Sequence, residues 1–254
     1  STMTGVSRGS LAFGDYDGDG KLDLLVAGST NTAASGALTF LYHGNGDGTF
    51  VNTGQFFRNA YLCTVGFADI DRDGDMDFLE TGRDSVGLPM LQMYRNGGGG
   101  VWAPVPSGLP ALDFGANFSF FDFDADGDLD LVINGSTTPG SVSGARTFLY
   151  RNDGTGTFTV VNTSGLSASC NGAVATGDID GDGRPDIVYT GMTAAGLPVN
   201  RVALNSGGTG TFVERDYGLP GVTLSALALG EFDGDGHLDL VLSGVQGASN
   251  LSKV

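Results

Sequence analysis

Positive charge is what this sequence most conspicuously lacks. Lysine and arginine together number 12 against 29 aspartates and glutamates, a formal net charge of −17. A nucleic-acid binder must neutralise a row of phosphates, and nothing here could do so. The same deficit argues against docking on anionic membrane surfaces. No apolar run reaches the roughly 18 residues that a membrane-spanning helix needs. The 2 cysteines, Cys63 and Cys170, are too few for a disulfide framework and are expected as buried thiols. With His43 and His237 they stand as scattered singles, which disfavours zinc, an ion that wants closely spaced Cys and His. Helical periodicity is absent as well.

Glycine, by contrast, is abundant at 44 residues, and the acids are clustered rather than spread. "GDYDGDGKLDLLVAG" (14–28) returns as "ADIDRDGDMDFLETG" (68–82), "FDFDADGDLDLVING" (121–135), "GDIDGDGRPDIVYTG" (177–191) and "GEFDGDGHLDLVLSG" (230–244). The first acids, Asp15, Asp69, Asp122, Asp178 and Glu231, are separated by 54, 53, 56 and 53 residues. A second signature trails the first four copies: "LYHGNGDGTF", "MYRNGGGGVW", "LYRNDGTGTF" and "ALNSGGTGTF". Aligned at equal spacing, Tyr42, Tyr94, Tyr150 and Leu204 each precede by eight residues an aromatic: Phe50, Trp102, Phe158 or Phe212.

Each period reads as β. A short run precedes the acidic loop, an apolar run of strand length follows it, and a Gly/Ser/Thr-rich connection leads to a third strand. Asn and Gly then turn the chain into a fourth strand at the aromatic. Four short antiparallel strands per 50-odd residues make the blade of an all-β propeller, and blades must stack on neighbours to bury their faces. The spacing predicts one domain over 1–254 with five blades, the last incomplete at "GASNLSKV". Either these form a five-blade ring or they are part of a six- or seven-blade one.

The loop pattern is D-x-D-x-D-G-x-x-D. Carboxylates crowded about 4 Å apart repel by roughly 4 kcal/mol per pair at an effective dielectric near 20, and a divalent cation reverses that sign. Calcium takes six to eight hard oxygens, partly anionic. Expected side-chain ligands are Asp15, Asp17, Asp19 and Asp23; Asp69, Asp71, Asp73 and Asp77; Asp122, Asp124, Asp126 and Asp130; Asp178, Asp180, Asp182 and Asp186; Glu231, Asp233, Asp235 and Asp239. Lys21, Asp75, Asp128, Arg184 and His237, at the variable seventh position, would offer backbone carbonyls while their side chains point away. The loops 15–23, 69–77, 122–130, 178–186 and 231–239 hold 22 of the 29 acids, and five Ca²⁺ would move the formal charge to −7. An EF-hand is a poor fit, because its twelfth position needs a bidentate glutamate and its loop needs flanking helices. Only Glu80 matches the former.

These motifs, with a preceding Phe13-Gly14 or Phe67-Ala68, resemble the FG-GAP or VCBS-type repeat of integrin α-subunit heads, many secreted bacterial proteins and some fungal lectins. The resemblance covers nearly the whole chain. It implies a propeller with a calcium in the loop between the first two strands of each blade, and ligands at the positions already named. The expected function is extracellular recognition or adhesion, with glycan or protein ligands bound in inter-blade clefts and by the varied rim loops, and no catalysis. A structural spacer in a filament or adhesin, or a domain of a secreted polysaccharide-degrading enzyme, are the alternatives. His43 and His237 are expected on the surface. Trp102, Tyr42, Tyr94 and Tyr150 are expected to pack within their blades. The sequons at Asn117, Asn134, Asn162 and Asn250 are a weak pattern, and Asn134 falls at a strand end.

Overall fold

The computed structural model describes residues 3–162, 164–247 and 249–253. Among these the helical turns are two short 3-10 segments, Ala34–Gly36 and Val142–Gly144, and everything else regular is strand. No helix of the described residues is long and apolar enough to cross a membrane.

Five antiparallel sheets follow one another along the chain, each in simple up-and-down order. The first contains β1 (Ser7–Gly14), β2 (Asp23–Ser29), β3 (Ala37–Gly44) and β4 (Phe50–Asn52). The second contains β5 (Tyr61–Ala68), β6 (Asp77–Arg83), β7 (Pro89–Asn96) and β8 (Trp102–Val105). The third has β9 (Asp113–Phe121), β10 (Asp130–Ser136), β11 (Ala145–Asn152) and β12 (Phe158–Val160); the fourth β13 (Val174–Gly177), β14 (Asp186–Met192), β15 (Pro198–Asn205) and β16 (Phe212–Arg215). The fifth stops at three strands, β17 (Thr223–Gly230), β18 (Asp239–Gln246) and β19 (Ser249–Lys253), as its short repeat requires. This is the all-β propeller class, with each acidic loop joining the first and second strands of a blade. Pro89 and Pro198 open their strands and Pro104 lies in an edge strand, where no ladder donor is missed.

The described residues group into two compact units: Ser1–Asp113 with Gly154–Thr157, and Phe114–Asp153 with Phe158–Val254. The core of the first joins Leu25 and Ala27 to Cys63, Val65, Phe78, Met90 and Tyr94, with Phe57 and Trp102 against it. Trp102 meets Phe78 at 5.1 Å and Tyr16 at 5.9 Å between ring centroids, the packing role expected of it. The core of the second joins Phe121, Phe123, Val132 and Leu149 to Val174, Ile187, Tyr189, Ala203 and Phe212. Both cysteines are free and buried. Asn134 is fully buried within β10, which closes that sequon to modification.

Two features were not legible. In the fourth blade the register pairs Ile187 with Ala203, where the first three pair Leu24 with Tyr42, Phe78 with Tyr94 and Leu131 with Tyr150. The structural counterpart of the hairpin tyrosine is therefore Ala203, not Leu204. The turn from Asn205 to Phe212 carries one extra residue relative to Gly44 to Phe50, so equal spacing to the aromatic misaligned the strand. Tyr189, from the adjacent strand of the same core, supplies the aromatic bulk that Ala203 does not. The second feature is a left-handed residue seven positions before each first acid: Arg8, Leu62, Gly115, Asn171 and Leu224, with φ of 52°, 47°, 67°, 58° and 49°. In the first, second and fifth blades it sits where the first-strand ladder slips, as a bulge does.

Candidate metal centres

The acidic loops close on themselves by a shared set of bonds. The position 1 carboxylate accepts from the amide of the position 6 glycine: Asp15 from Gly20 at 2.8 Å, Asp69 from Gly74 at 3.1 Å, Asp122 from Gly127 at 2.9 Å, Asp178 from Gly183 at 2.9 Å. The position 5 carboxylate accepts from the position 7 amide, in all five loops between 2.8 and 3.0 Å: Asp19, Asp73, Asp126, Asp182 and Asp235. The position 6 glycines hold φ between 81° and 93°, left-handed backbone that a side chain resists.

Position 4 is left-handed too. Glycine occupies it in three loops, but Arg72 and Ala125 hold φ of 60° in the other two. An L-residue there is strained by about 1–2 kcal/mol, partly offset by the extra entropy glycine would lose on folding. Ala125→Gly is therefore expected to raise stability by about 0.5–1 kcal/mol, and denaturant unfolding with and without calcium would measure it.

Position 9 does something the sequence did not announce. Asp23, Asp77, Asp130 and Asp186 are fully buried. Each takes two backbone amides, one from position 2 of its loop and one from the end of the third strand. Asp23 accepts from Tyr16 and Gly44 (3.0 and 2.8 Å), Asp77 from Ile70 and Asn96 (3.2 and 2.7 Å). Asp130 accepts from Phe123 and Asn152 (3.1 and 2.9 Å), Asp186 from Ile179 and Asn205 (2.9 and 2.7 Å). The last carboxylate is thus a clamp between loop and strand as well as a wall of the cage. Burial pushes these carboxyls up, Asp77 to about 6 and Asp130 to about 7, against the pull of the amides.

The carboxylates of positions 1, 3 and 9 converge. Asp69, Asp71 and Asp77 each bring an oxygen within 4.8 Å of the others, as do Asp122, Asp124 and Asp130, and Asp178, Asp180 and Asp186. In the first loop Asp15, Asp17 and Asp19 form one such group and Asp17, Asp23 and His43 another. One Oδ1 of each of Asp69, Asp71, Asp122 and Asp124 is buried with no hydrogen-bond partner. A buried anionic oxygen without a partner is strongly unfavourable. All four belong to positions 1 and 3 of the cages, and hard, close-set carboxylate oxygens fit a hard divalent cation.

The basic side chains around the cages correct one expectation and add to another. His43 is not a bystander: its Nδ1 lies 3.1 Å from Asp17 and 3.3 Å from Asp23. At the same strand position Arg95 pairs with Asp71 at 2.8 Å, and Arg151 with Asp124 at 2.7 Å and Asp126 at 2.6 Å. Nor do all position 7 side chains turn away, since Lys21 reaches Asp19 at 2.6 Å and Arg184 contacts Asp182. The fifth loop departs most. The longer Glu231 accepts from Asp233 and Gly234 instead of the position 6 amide, and Asp239 is only partly buried.

The acids outside the loops have structural partners. Arg83 forks onto Asp113 with both bonds at 2.7 Å, Arg58 holds Asp84 at 2.9 Å, and Asp47 closes its hairpin through Thr49. Glu214 receives Ser167 and the Tyr189 hydroxyl, with Arg201 3.4 Å away. Glu80 is entirely buried, bonded to Thr39 Oγ1 at 3.0 Å.

One cleft is built differently from the cages. Between the third strand of the first blade and the segment leading to the second lies a cavity of about 280 Å³, lined by Leu38, Thr39, Phe40, Asn52, Gln55, Phe56 and Asn59 among others. Phe56 stands at its rim, 98% exposed.

The sequence profile of the FG-GAP-like repeat matches residues 15–80 and 137–189. No curated protein matches the chain. Among solved structures, an Agrocybe aegerita lectin reported to recognise non-reducing terminal N-acetylglucosamine is 20% identical with a TM-score of 0.59, the match covering 97% of this chain and 66% of the lectin. A Trypanosoma rangeli sialidase, solved with sialic acid, is 12% identical with a TM-score of 0.53, over 97% of this chain and 43% of the enzyme. The chain therefore spans about two thirds of the one and under half of the other, and at such identity the likeness is one of fold. Fold and loops together define a repeat-built β-propeller. The FG-GAP-like repeats at 15–80 and 137–189, set in this fold, support an FG-GAP-type propeller family.

Proposed function

We propose that this propeller is set by calcium and recognises glycans outside the cell, without catalysis. The observation that carries the glycan reading is the cleft beside Phe56. Phe56 is 98% exposed, more than any other large hydrophobic among the described residues, and its ring is open to a ligand. Here it borders a cavity of monosaccharide scale, with Asn52, Gln55 and Asn59 among the polar residues that line it. An apolar platform with a few convergent polar groups is the usual construction of a small-molecule site. The lectin and sialidase relatives of the fold support a sugar as the ligand.

For calcium, the support is the set of partnerless buried oxygens inside loops of matching hydrogen-bond pattern. Bound there, the ion would supply charge neutralisation and nothing redox or acidic. Asp, not the ion, does the tying: positions 1 and 5 close the turn and position 9 holds the third strand. Extracellular modules bind calcium in the range of about 10⁻⁴–10⁻³ M, so loops of this kind fill outside the cell.

Glycoside cleavage would need exposed chemistry. Sialidases use a tyrosine nucleophile, and here the Tyr189 hydroxyl donates to Glu214. Yet Tyr189 is fully buried in the core and its phenol is pushed up, chiefly by burial. The pair anchors Ser167 and the fourth strand.

A glycan array in calcium buffer tests the reading. Specific binding is expected, weakened about tenfold or more by Phe56→Ala, the effect of losing roughly 1.4 kcal/mol of ring contact. An array on which the folded protein binds no sugar would sink it.

A further inference from the structure

The first cage differs from its neighbours in one donor atom. At the strand position just ahead of the clamp amide, the second and third blades carry Arg95 and Arg151, the fourth Leu204, and the first His43. A guanidinium or an alkyl chain has no lone pair to give a metal, and an imidazole has one. The Nδ1 of His43 lies 3.1 Å from Asp17 Oδ2 and 3.3 Å from Asp23 Oδ1, and the three residues bring donor atoms within 4.8 Å of one another. Neither approach has the alignment of a hydrogen bond. Two donors bonded at about 2.0–2.1 Å to one tetrahedral ion stand about 3.3 Å apart. The two separations therefore match the edges of a zinc coordination tetrahedron with the imidazole at one corner.

The surroundings suit the same ion. Calcium takes oxygen ligands, whereas imidazole suits zinc and its neighbours in the first transition row. Asp19, whose carboxylate would help complete an all-oxygen set, is engaged by Lys21 at 2.6 Å. Asp23 is fixed at the floor by the amides of Tyr16 and Gly44, the kind of support that orients a metal ligand. Entry is open from above, where the His43 and Asp17 side chains are 31% and 25% exposed. We propose that the first cage is a zinc site, in which His43 Nδ1, Asp17 and Asp23 hold the ion and water completes its shell. Zinc replaces calcium in this loop, and the assignment deepens the metal reading of the cages.

Isothermal titration of zinc chloride into the full chain in millimolar calcium tests this. One zinc per chain is expected. His43→Leu, which installs the residue that the fourth blade carries at this position, should weaken it at least tenfold, and His237→Asn should leave it unchanged. Should circular dichroism show the leucine variant unfolded, His43→Gln takes its place with the same expectation. Cobalt, added as a spectroscopic stand-in for zinc, should show the visible bands of a four-coordinate site in the wild type and lose them in the His43 variant. Absence of zinc binding, an affinity that the His43 variant leaves unchanged, or a loss caused by His237→Asn would each overturn the proposal. Calcium is read separately, by melting with and without chelator, so either metal assignment can fail alone.

Discussion

In excess chelator the protein is expected to melt about 10 °C lower than in millimolar calcium, with magnesium restoring little of the difference. An ion that binds only the folded state adds RT ln(1 + [L]/Kd), about 1.4 kcal/mol per site at the roughly tenfold excess that millimolar calcium has over a Kd near 10⁻⁴ M. For a domain of this size each kcal/mol moves the midpoint by roughly 2 °C or more. About four filled loops suffice for the effect. Magnesium demands six near-ideal ligands and keeps its waters, which a loop made of fixed carboxylates does not suit. The second and third loops should contribute most, because they hold the buried oxygens without partners. The fifth should contribute least, its Glu231 being turned onto its own amides. Scanning calorimetry with and without chelator is the measurement, and coincident melts would remove calcium from the account.

Glu80→Gln is expected to stabilise the protein at pH 8 by roughly 2–4 kcal/mol and to leave it nearly unchanged at pH 4. Burial lifts this carboxyl to about 8, against the lowering by its bond from Thr39 and by Arg58. The unfolded chain releases the proton near 4.5, so between about pH 4.5 and 8 the unfolded state is ionised while the folded state still holds its proton. A raised acid therefore gives its full stability below the unfolded value and loses it progressively as pH rises through that window. Glutamine keeps the shape and can still accept from Thr39, but has no proton to lose. Urea unfolding of both proteins at several pH values would show the slope vanish in the variant. Parallel pH profiles would mean that Glu80 is solvated and the argument wrong.

Both predictions rest on residues of very different legibility. The cages were readable because four acids at fixed spacing are improbable as anything else, and because they recur beside strands of one length. The position 6 glycine was readable for the same reason. The clamp at position 9 was not, since its partners Gly44, Asn96, Asn152 and Asn205 lie 19 to 22 residues away and contribute only backbone amides, which carry no side-chain signal. His43 and Arg95 were missed because a strand residue facing a loop across the sheet has no local pattern. Glu80 was legible only as an acid outside the loops and is a core residue, because period-2 alternation cannot tell which face a neighbouring blade will cover. The fourth hairpin was misplaced by one residue because its turn, not its strand, absorbed the insertion.

Asn96 donates to the carbonyl of Tyr16 at 2.7 Å, and Asn205 to that of Phe123 at 2.8 Å. Each of these amides stands at the end of one blade's third strand, beside the clamp of its own cage, and grips the cage of the blade before it. Neighbouring cages therefore share a fastening, and ions held in them would be linked in the nearest-neighbour manner of repeat arrays. A titration of such a chain would rise more steeply than independent sites allow, and damage to one cage would loosen the next.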